Sequence, residues 1–459
     1  MINQNIYIRT SYNDILVLIY GEFLKNKIKK NIKIDGWYTE NRNILHFDSP
    51  ISYKNANTFV KNSTFVQRHS FFPFLTFNLK FYKYKKDSTT NEMIRYQKDR
   101  SICYSAHLDN CIYSYYSKNL SEKYESMIKK DNFSNSILAF RKIDKKNNVA
   151  FAKQAFDDIK IFGECNVFAI DFSDFFGTLD HSLLKDKWYK VLNVPRLPSD
   201  HYNIFKSLTK YSLVNKDKIY DLFKISKNNP KNRPKRICNI NDFRNKVRKE
   251  NYIKQNPKIN DKIGIPQGSS LSALLSNIYL IDFDKDISEY VEKISGKYYR
   301  YCDDILIITP LNECNNTKDF VYNMIKKEKL IINPEKTKIS LFQLNGNKLS
   351  SLKPLQYLGF IFDGENIYIR SSSISNFYRR MKKGVKLAKS SMIKFNKIHS
   401  KNGQEERLLF KKKLYERYSF LGGSNFIKYG LYANKTMESN KIKKQLSRLW
   451  KRLNDEIAI

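Results

Sequence analysis

The sequence predicts an α+β fold, and three observations carry that reading. Aromatic and β-branched residues cluster as strands within 64–106, in "CNVFAID" and in "KYYRYCDDILIITP"; apolar residues recur at helical spacing through 107–165; and beyond residue 370 the pattern is helical alone. With 459 residues and 41% apolar content, the chain can bury a substantial core yet exceeds one ordinary domain. Two or three packed subdomains are expected.

Taken in order, residues 1–63 form an N-terminal extension whose short apolar run, "ILVLIY", is bounded by charge and carries no motif. The run is too short for a membrane span and lacks the layout of a signal peptide, so a cytoplasmic protein without a membrane partner is expected. Residues 64–106 read as a basic hairpin, and "IYSYYSKNLSEKYESMI" and "VAFAKQAFDDIKIF" as helices that close a first unit at 165. "NVFAIDFSDFF" opens a second unit, 166–370, with a strand. Inside it, residues 214–262 are basic, Asn-rich and poor in apolar residues, which predicts a loop excursion with at most a short helix at "INDFRNKVRKEN". "IGIPQGSSLSALLSNIYLIDFDKDI" reads as a turn entering a long helix, and "KYYRYCDDILIITP" as a hairpin. Residues 371–459 read as helices broken at Gly422-Gly423.

Charge narrows the class of partner. The chain holds 83 Lys and Arg against 45 Asp and Glu, net +38, and 22 against 6 in residues 371–459. Such an excess, with 14% aromatic residues on which bases can stack, points to a nucleic acid rather than a membrane surface. The six cysteines (Cys103, Cys111, Cys165, Cys238, Cys302, Cys314) include no CxxC pair, which argues against a zinc module or a secreted disulfide framework and predicts reduced thiols. With no HxxxH, no Ser-His-Asp order and no Walker A sequence, hydrolase and ATPase readings lack support.

Three carboxylates stand apart. Asp303 and Asp304 are adjacent at a hairpin tip that otherwise reads as buried, where like charges repel and burial is costly without a compensating cation or donors. Asp171 ends another strand. If the strands pair, acids from segments some 130 residues apart converge on an oxygen-lined site for hard divalent cations. An isolated YxDD arises easily by chance, and an Asp pair is most often a turn or a cap. Specificity comes from order: strand-acid, Gly-turn-helix, aromatic-x-Asp-Asp hairpin, then "LQYLGF".

Over roughly residues 64–370 these motifs resemble the reverse transcriptases, and more closely their bacterial branch of retron-like, abortive-infection and defence-associated enzymes. "IDFSDFFGTLDH" is similar to the family's first palm motif, "IGIPQGSSLSALLSNIYL" to its second, "YCDD" to its catalytic hairpin and "PLQYLGFIFDG" to its primer-grip strands. "FRKIDKKNNVAFAKQAFDDI" and "LPSDHYNIFKSLTKYSLV" look more like the abortive-infection and defence group than like retroviral enzymes.

The resemblance implies a right-hand polymerase with fingers at 64–165, an antiparallel-sheet palm at 166–370 and an α-helical thumb at 371–459. It implies that Asp171, Asp303 and Asp304, with the backbone carbonyl of Phe172, bind two Mg²⁺ ions, Mn²⁺ being the alternative. Phe176, five residues after Asp171, matches the steric gate whose ring excludes a 2′-OH, with one of Phe175 and Phe176 expected in the core. Gln267 would contact the incoming nucleotide, and Gly268 would let the backbone approach base and sugar. Arg100 would hold the triphosphate with its paired donors, assisted by Lys98. Lys336, with Lys338 as its substitute, matches a lysine that protonates pyrophosphate. Tyr357, Leu358 and Gly359 would position the primer terminus. Asp174 is expected to be a loop residue rather than a ligand, and His181 to organise its loop.

The implied reaction is transfer of dNTPs to a primer 3′-OH, or to a protein hydroxyl, on an RNA template, with DNA as product. A dedicated non-coding RNA as template and bacterial antiphage defence as role follow from the same resemblance, and a partner protein or homo-oligomer stays open. Three alternatives remain: a template-independent or protein-primed polymerase, a catalytically silent RNA-binding scaffold, and an ordinary retron enzyme. The longer N terminus, the 214–262 insertion and YCDD in place of the more usual YADD count against the last.

Overall fold

The structure, a computed structural model, describes residues 33–39, 44–87, 90–144, 146–226 and 234–458. About half of the expected N-terminal extension lies outside them. The described chain divides into two compact units, a larger one of residues 33–358 and 362–365 and a smaller one of 359–361 and 366–458.

In the larger unit, β1 (Phe74–Lys86) and β2 (Met93–Tyr104) form the expected hairpin, paired antiparallel from Leu75 opposite Tyr104 to Lys86 opposite Met93. Helix α1 (His107–Lys130) follows at once, and both carboxylate oxygens of Asp48 accept its first N–H groups, from His107 and Leu108, at 2.9 Å. Those donors have no partner within the helix, so the acid fixes where it starts. Helix α2 (Asn148–Phe162) is capped by the Asn147 side chain. It leads into β3 (Cys165–Asp171), buried over nearly its whole length, then a helical turn α3 (Phe175–Thr178) and helix α4 (His181–Leu192).

The described part of the segment expected to be a loop excursion is folded, which corrects that expectation. Strand β4 (Ser212–Asn215) runs parallel to β1, and β5 (Ile253–Gln255) pairs with β4, so the hairpin grows into a four-stranded sheet in the order β2-β1-β4-β5. Between them lie a helix at Lys216–Leu222 and helical turns over 240–248. Val214, Ile219, Tyr220, Ile237, Cys238, Phe243 and Val247 form a small core with Leu45, Phe47 and Leu75. Apolar residues this sparse, set among Lys and Asn, hide the periodicity that a sequence reading needs.

Helices α5 (Ser272–Tyr279) and α6 (Ile281–Lys293) precede β6 (Lys297–Tyr301) and β7 (Asp304–Thr309). After α7 (Cys314–Lys327) come β8 (Lys338–Asn345), β9 (Lys348–Ser350) and β10 (Leu355–Tyr357). The central sheet has the order β9-β8-β3-β7-β6, antiparallel at every step. Ile305, Leu306, Ile307 and Ile308 of β7 are all buried, as a continuous apolar run in an interior strand requires.

The smaller unit comprises β11 (Ile367–Ile369) and helices α8 (Ser371–Lys401), α9 (Lys412–Tyr418), α10 (Phe426–Met437) and α11 (Asn440–Ala458). Ile442, Leu446, Leu449, Leu453 and Ile457, spaced three and four apart, give α11 one buried stripe. Its Gln445 side chain completes β11, accepting from Ile369 N–H at 2.9 Å and donating to Ile369 O at 3.0 Å. No described helix is long and apolar enough to cross a membrane.

Candidate active site

Strand pairing delivers the three acids to one end of the central sheet. Asp171, the last residue of β3 and only 7% exposed, lies directly opposite Asp304, the first residue of β7. Asp304 also pairs with Tyr301 of β6, so Cys302 and Asp303 make a two-residue hairpin turn. Cys302 takes a φ of 61° there, a region disfavoured for any residue with a β-carbon. Its thiol is buried, and desolvation together with the Asp303 carboxylate pushes its pKa well up, which keeps it neutral.

Arg300 holds this turn from beneath, a role the sequence reading missed. Its fully buried guanidinium donates to Cys302 O at 3.1 Å and Asn277 Oδ1 at 3.1 Å, and pairs with both oxygens of Asp284, through Nε at 2.7 Å and through Nη2. Tyr298 OH adds a third donor to Asp284 at 2.6 Å. A planar fork is suited to holding two helices and a turn at once. A signal did exist: Asp284 interrupts the buried stripe Ile281, Ile287, Val291 of α6, and an acid in such a place needs a partner.

Lys336 comes to the same centre from the chain before β8. Its ammonium ion-pairs with Asp171 Oδ1, while Asn333 N–H donates to Asp171 O at 2.8 Å. The approach of residues 331–333 is fixed by an antiparallel bridge between Phe172 and Ile332 and by Ser173 N–H on Ile331 O. Among the described residues, no three His, Cys, Asp or Glu side chains are gathered closely enough to form a metal ligand set by themselves. The donors at this end of the sheet are nonetheless all hard oxygens, as a Mg²⁺-type cation requires. Tyr357 OH is buried without a hydrogen-bond partner among the described residues, its pKa raised by burial and then by the Asp304 carboxylate. The donor chemistry fits divalent cations.

The remaining expected residues fall in three places. Phe175 is buried against Phe172, ring centroids 5.4 Å apart, while Phe176 is only half-buried, so Phe175 is the core member of the pair. Lys98 and Arg100 lie on β2 opposite Phe81 and Leu79. Gln267 and Gly268, both exposed, cover the edge of that strand: Cys103 N–H donates to Gln267 O at 2.9 Å. Leu358 and Gly359, at φ 45° and 94°, turn the chain after Tyr357. Asp174 is exposed and paired with Lys258 at 2.6 Å, and the His181 ring bonds Gly264 O at 2.9 Å.

Gly268 is required by geometry. Its φ is 117°, and a β-carbon there would lie 2.2 Å from Cys103 O. Gly268→Ala is therefore expected to cost about 3 kcal/mol of stability through strain and overpacking. Urea unfolding measures it, and a change within about 0.5 kcal/mol would show that the loop yields freely.

A five-stranded antiparallel sheet that presents acids from a strand end and a hairpin turn, flanked by a sheet-and-helix module, defines the palm and fingers of a right-hand polymerase. Residues 105–362 match the family model described as reverse transcriptase (RNA-dependent DNA polymerase), so the chain belongs to the reverse transcriptase family. The match begins after the β1–β2 hairpin, which the sequence resemblance had included. Polymerases of this family use divalent metal ions. No curated protein matches. Similar solved structures include apo telomerase from Candida tropicalis, at 13% identity and a TM-score of 0.42 over 89% of this chain and 67% of that one. The same telomerase truncated from its C-terminal domain gives 14% and 0.40 over 64% and 57%. Telomerase from Candida albicans in complex with a fragment of telomeric RNA gives 12% and 0.36 over 88% and 65%. The chain thus spans about three fifths of the length of these telomerases.

Proposed function

We propose that the protein is an RNA-directed DNA polymerase that adds dNTPs to a primer end, and that it serves bacterial antiphage defence in the cytoplasm by copying a dedicated non-coding RNA. The observation that carries the polymerase reading is the register of Asp171 opposite Asp304, with Asp303 in the adjoining turn, inside the span matched by the reverse transcriptase family. The net charge of +38 supports an RNA partner, and helix α8, with nine Lys and Arg and no acid, supports a phosphate-backbone grip. The defence role is supported by the passages around the first palm motif that look like the abortive-infection group.

Asp171, Asp303 and Asp304, with the Phe172 carbonyl, would hold two Mg²⁺ ions, or Mn²⁺. When bound, these supply a lowered pKa for the attacking hydroxyl and positive charge for the pyrophosphate leaving group. The chain's own groups do the rest. Arg100 and Lys98 bind the triphosphate from β2, and Gln267 and Gly268, tied to that strand through Cys103, lie against the incoming nucleotide. The Phe176 ring excludes a 2′-OH, Lys336 delivers a proton to pyrophosphate, and Tyr357, Leu358 and Gly359 place the primer terminus.

The test is to isolate the protein from cells, sequence any nucleic acid that co-purifies, and supply labelled dNTPs singly and together with Mg²⁺ or Mn²⁺, beside the Asp303→Asn, Asp304→Asn double variant. Labelled DNA complementary to a bound RNA, absent from the variant, is the expected result. Homopolymer or protein-linked product without bound RNA would replace templated by untemplated synthesis. No product above the variant's background would leave a scaffold.

A further inference from the structure

We propose that Lys258, from the basic segment between the two motif-bearing blocks, is a positioning residue for Phe176 and thereby sets the discrimination between deoxyribose and ribose. The inference rests on the reading of Phe176 as the ring that meets the nucleotide sugar.

Phe176 sits in α3, a helix of only four residues, whose carbonyls find few partners within so short a helix. Residues 258–265 supply those partners. Ile265 N–H donates to Phe176 O at 2.9 Å, Gly264 N–H to Leu179 O at 2.8 Å, and the Lys258 ammonium to Gly177 O at 2.9 Å. The same ammonium pairs with Asp174 Oδ2 at 2.6 Å. Lys258 therefore spans the turn from the residue before α3 to the residue after Phe176. Asp174 needs such a hold: its φ is 46°, left-handed and without the freedom of glycine.

Lys258 is itself anchored. Its N–H donates to Asn256 Oδ1 at 3.0 Å, and Asn256, 2% exposed, donates through its side chain to Ile263 O at 3.1 Å and Thr209 O at 3.4 Å and through its backbone to Tyr211 O at 2.9 Å. A buried asparagine with all four of these bonds is a rigid footing. The Phe176 ring, half-buried beside the core ring of Phe175 at 5.6 Å, takes its height from this backbone. Small displacements of a ring that excludes one hydroxyl change selectivity more than they change overall binding.

The experiment measures kcat/KM for a dNTP and for the matching rNTP in the wild type and in Lys258→Met, Asp174→Asn, Lys258→Arg and Phe176→Ala, with thermal melting of each. Lys258→Met keeps the aliphatic stem, and Asp174→Asn removes the same ion pair from its other side. Expected is a fall of roughly tenfold in dNTP preference for both, arising mainly from a lower KM for the rNTP, with recovery in Lys258→Arg. Lys254→Met, in β5 of the same basic segment, should leave the ratio at its wild-type value. If Phe176→Ala leaves the ratio unchanged, the sugar-gate reading itself is wrong and the inference goes with it. If Phe176→Ala lowers the ratio while Lys258→Met and Asp174→Asn both melt and discriminate as the wild type does, the positioning role alone is overturned.

Discussion

Replacing Asp303 and Asp304 together by Asn is expected to lower dNTP incorporation by at least about 10³-fold while leaving the fold intact. The two carboxylates lie at a hairpin turn and at the first residue of β7, neither of them buried, so removing their charge relieves repulsion with Asp171 instead of opening a cavity. What is lost is the oxygen set for hard cations, and several kcal/mol of transition-state stabilisation corresponds to roughly three powers of ten in rate. Single-turnover incorporation and a parallel melting curve separate the two effects. Retention of more than about a tenth of the activity would show that chemistry does not pass through this turn.

Arg300→Met carries the largest expected loss of stability. It leaves the Asp284 carboxylate fully buried with Tyr298 as its remaining partner, and breaking a buried pair from one side costs about 3–5 kcal/mol. Adding Asp284→Leu removes the stranded charge and should recover much of that loss in urea unfolding. Activity is expected to behave differently: the double variant still lacks the donor to Cys302 O, so the turn bearing Asp303 is left without its support. Stability restored without activity would mark Arg300 as the device that holds the turn. Recovery of both would reduce it to packing.

The palm was legible because its strands declare themselves locally. β3 and β7 are continuous apolar runs that each meet an acid, so their burial was expected, while the register that sets Asp171 opposite Asp304 came with the fold. The 214–262 segment was not legible, since its strands are three and four residues long and its core is completed by Leu45, Phe47 and Leu75 from far earlier in the chain. The ties of Lys258 to Asp174, Lys336 to Asp171 and Arg300 to Asp284 were hidden for a related reason. Among 83 basic residues no local pattern announces these three ion pairs, and only the fold brings the partners within reach.

The place of β3 inside the sheet also sets an order of events during synthesis. Both of its neighbours, β7 and β8, come later in the chain, and β8 ends at Asn345, 174 residues after Asp171 (345 − 171). At about 5–20 residues per second, β3 leaves the ribosome roughly 9–35 seconds before its second edge is covered. For that interval an apolar strand has at least one open hydrogen-bonding edge, the condition under which nascent chains associate with one another. The strand that carries Asp171 is therefore made early and sheltered late, and a chain interrupted before Lys338 would keep one of its edges open.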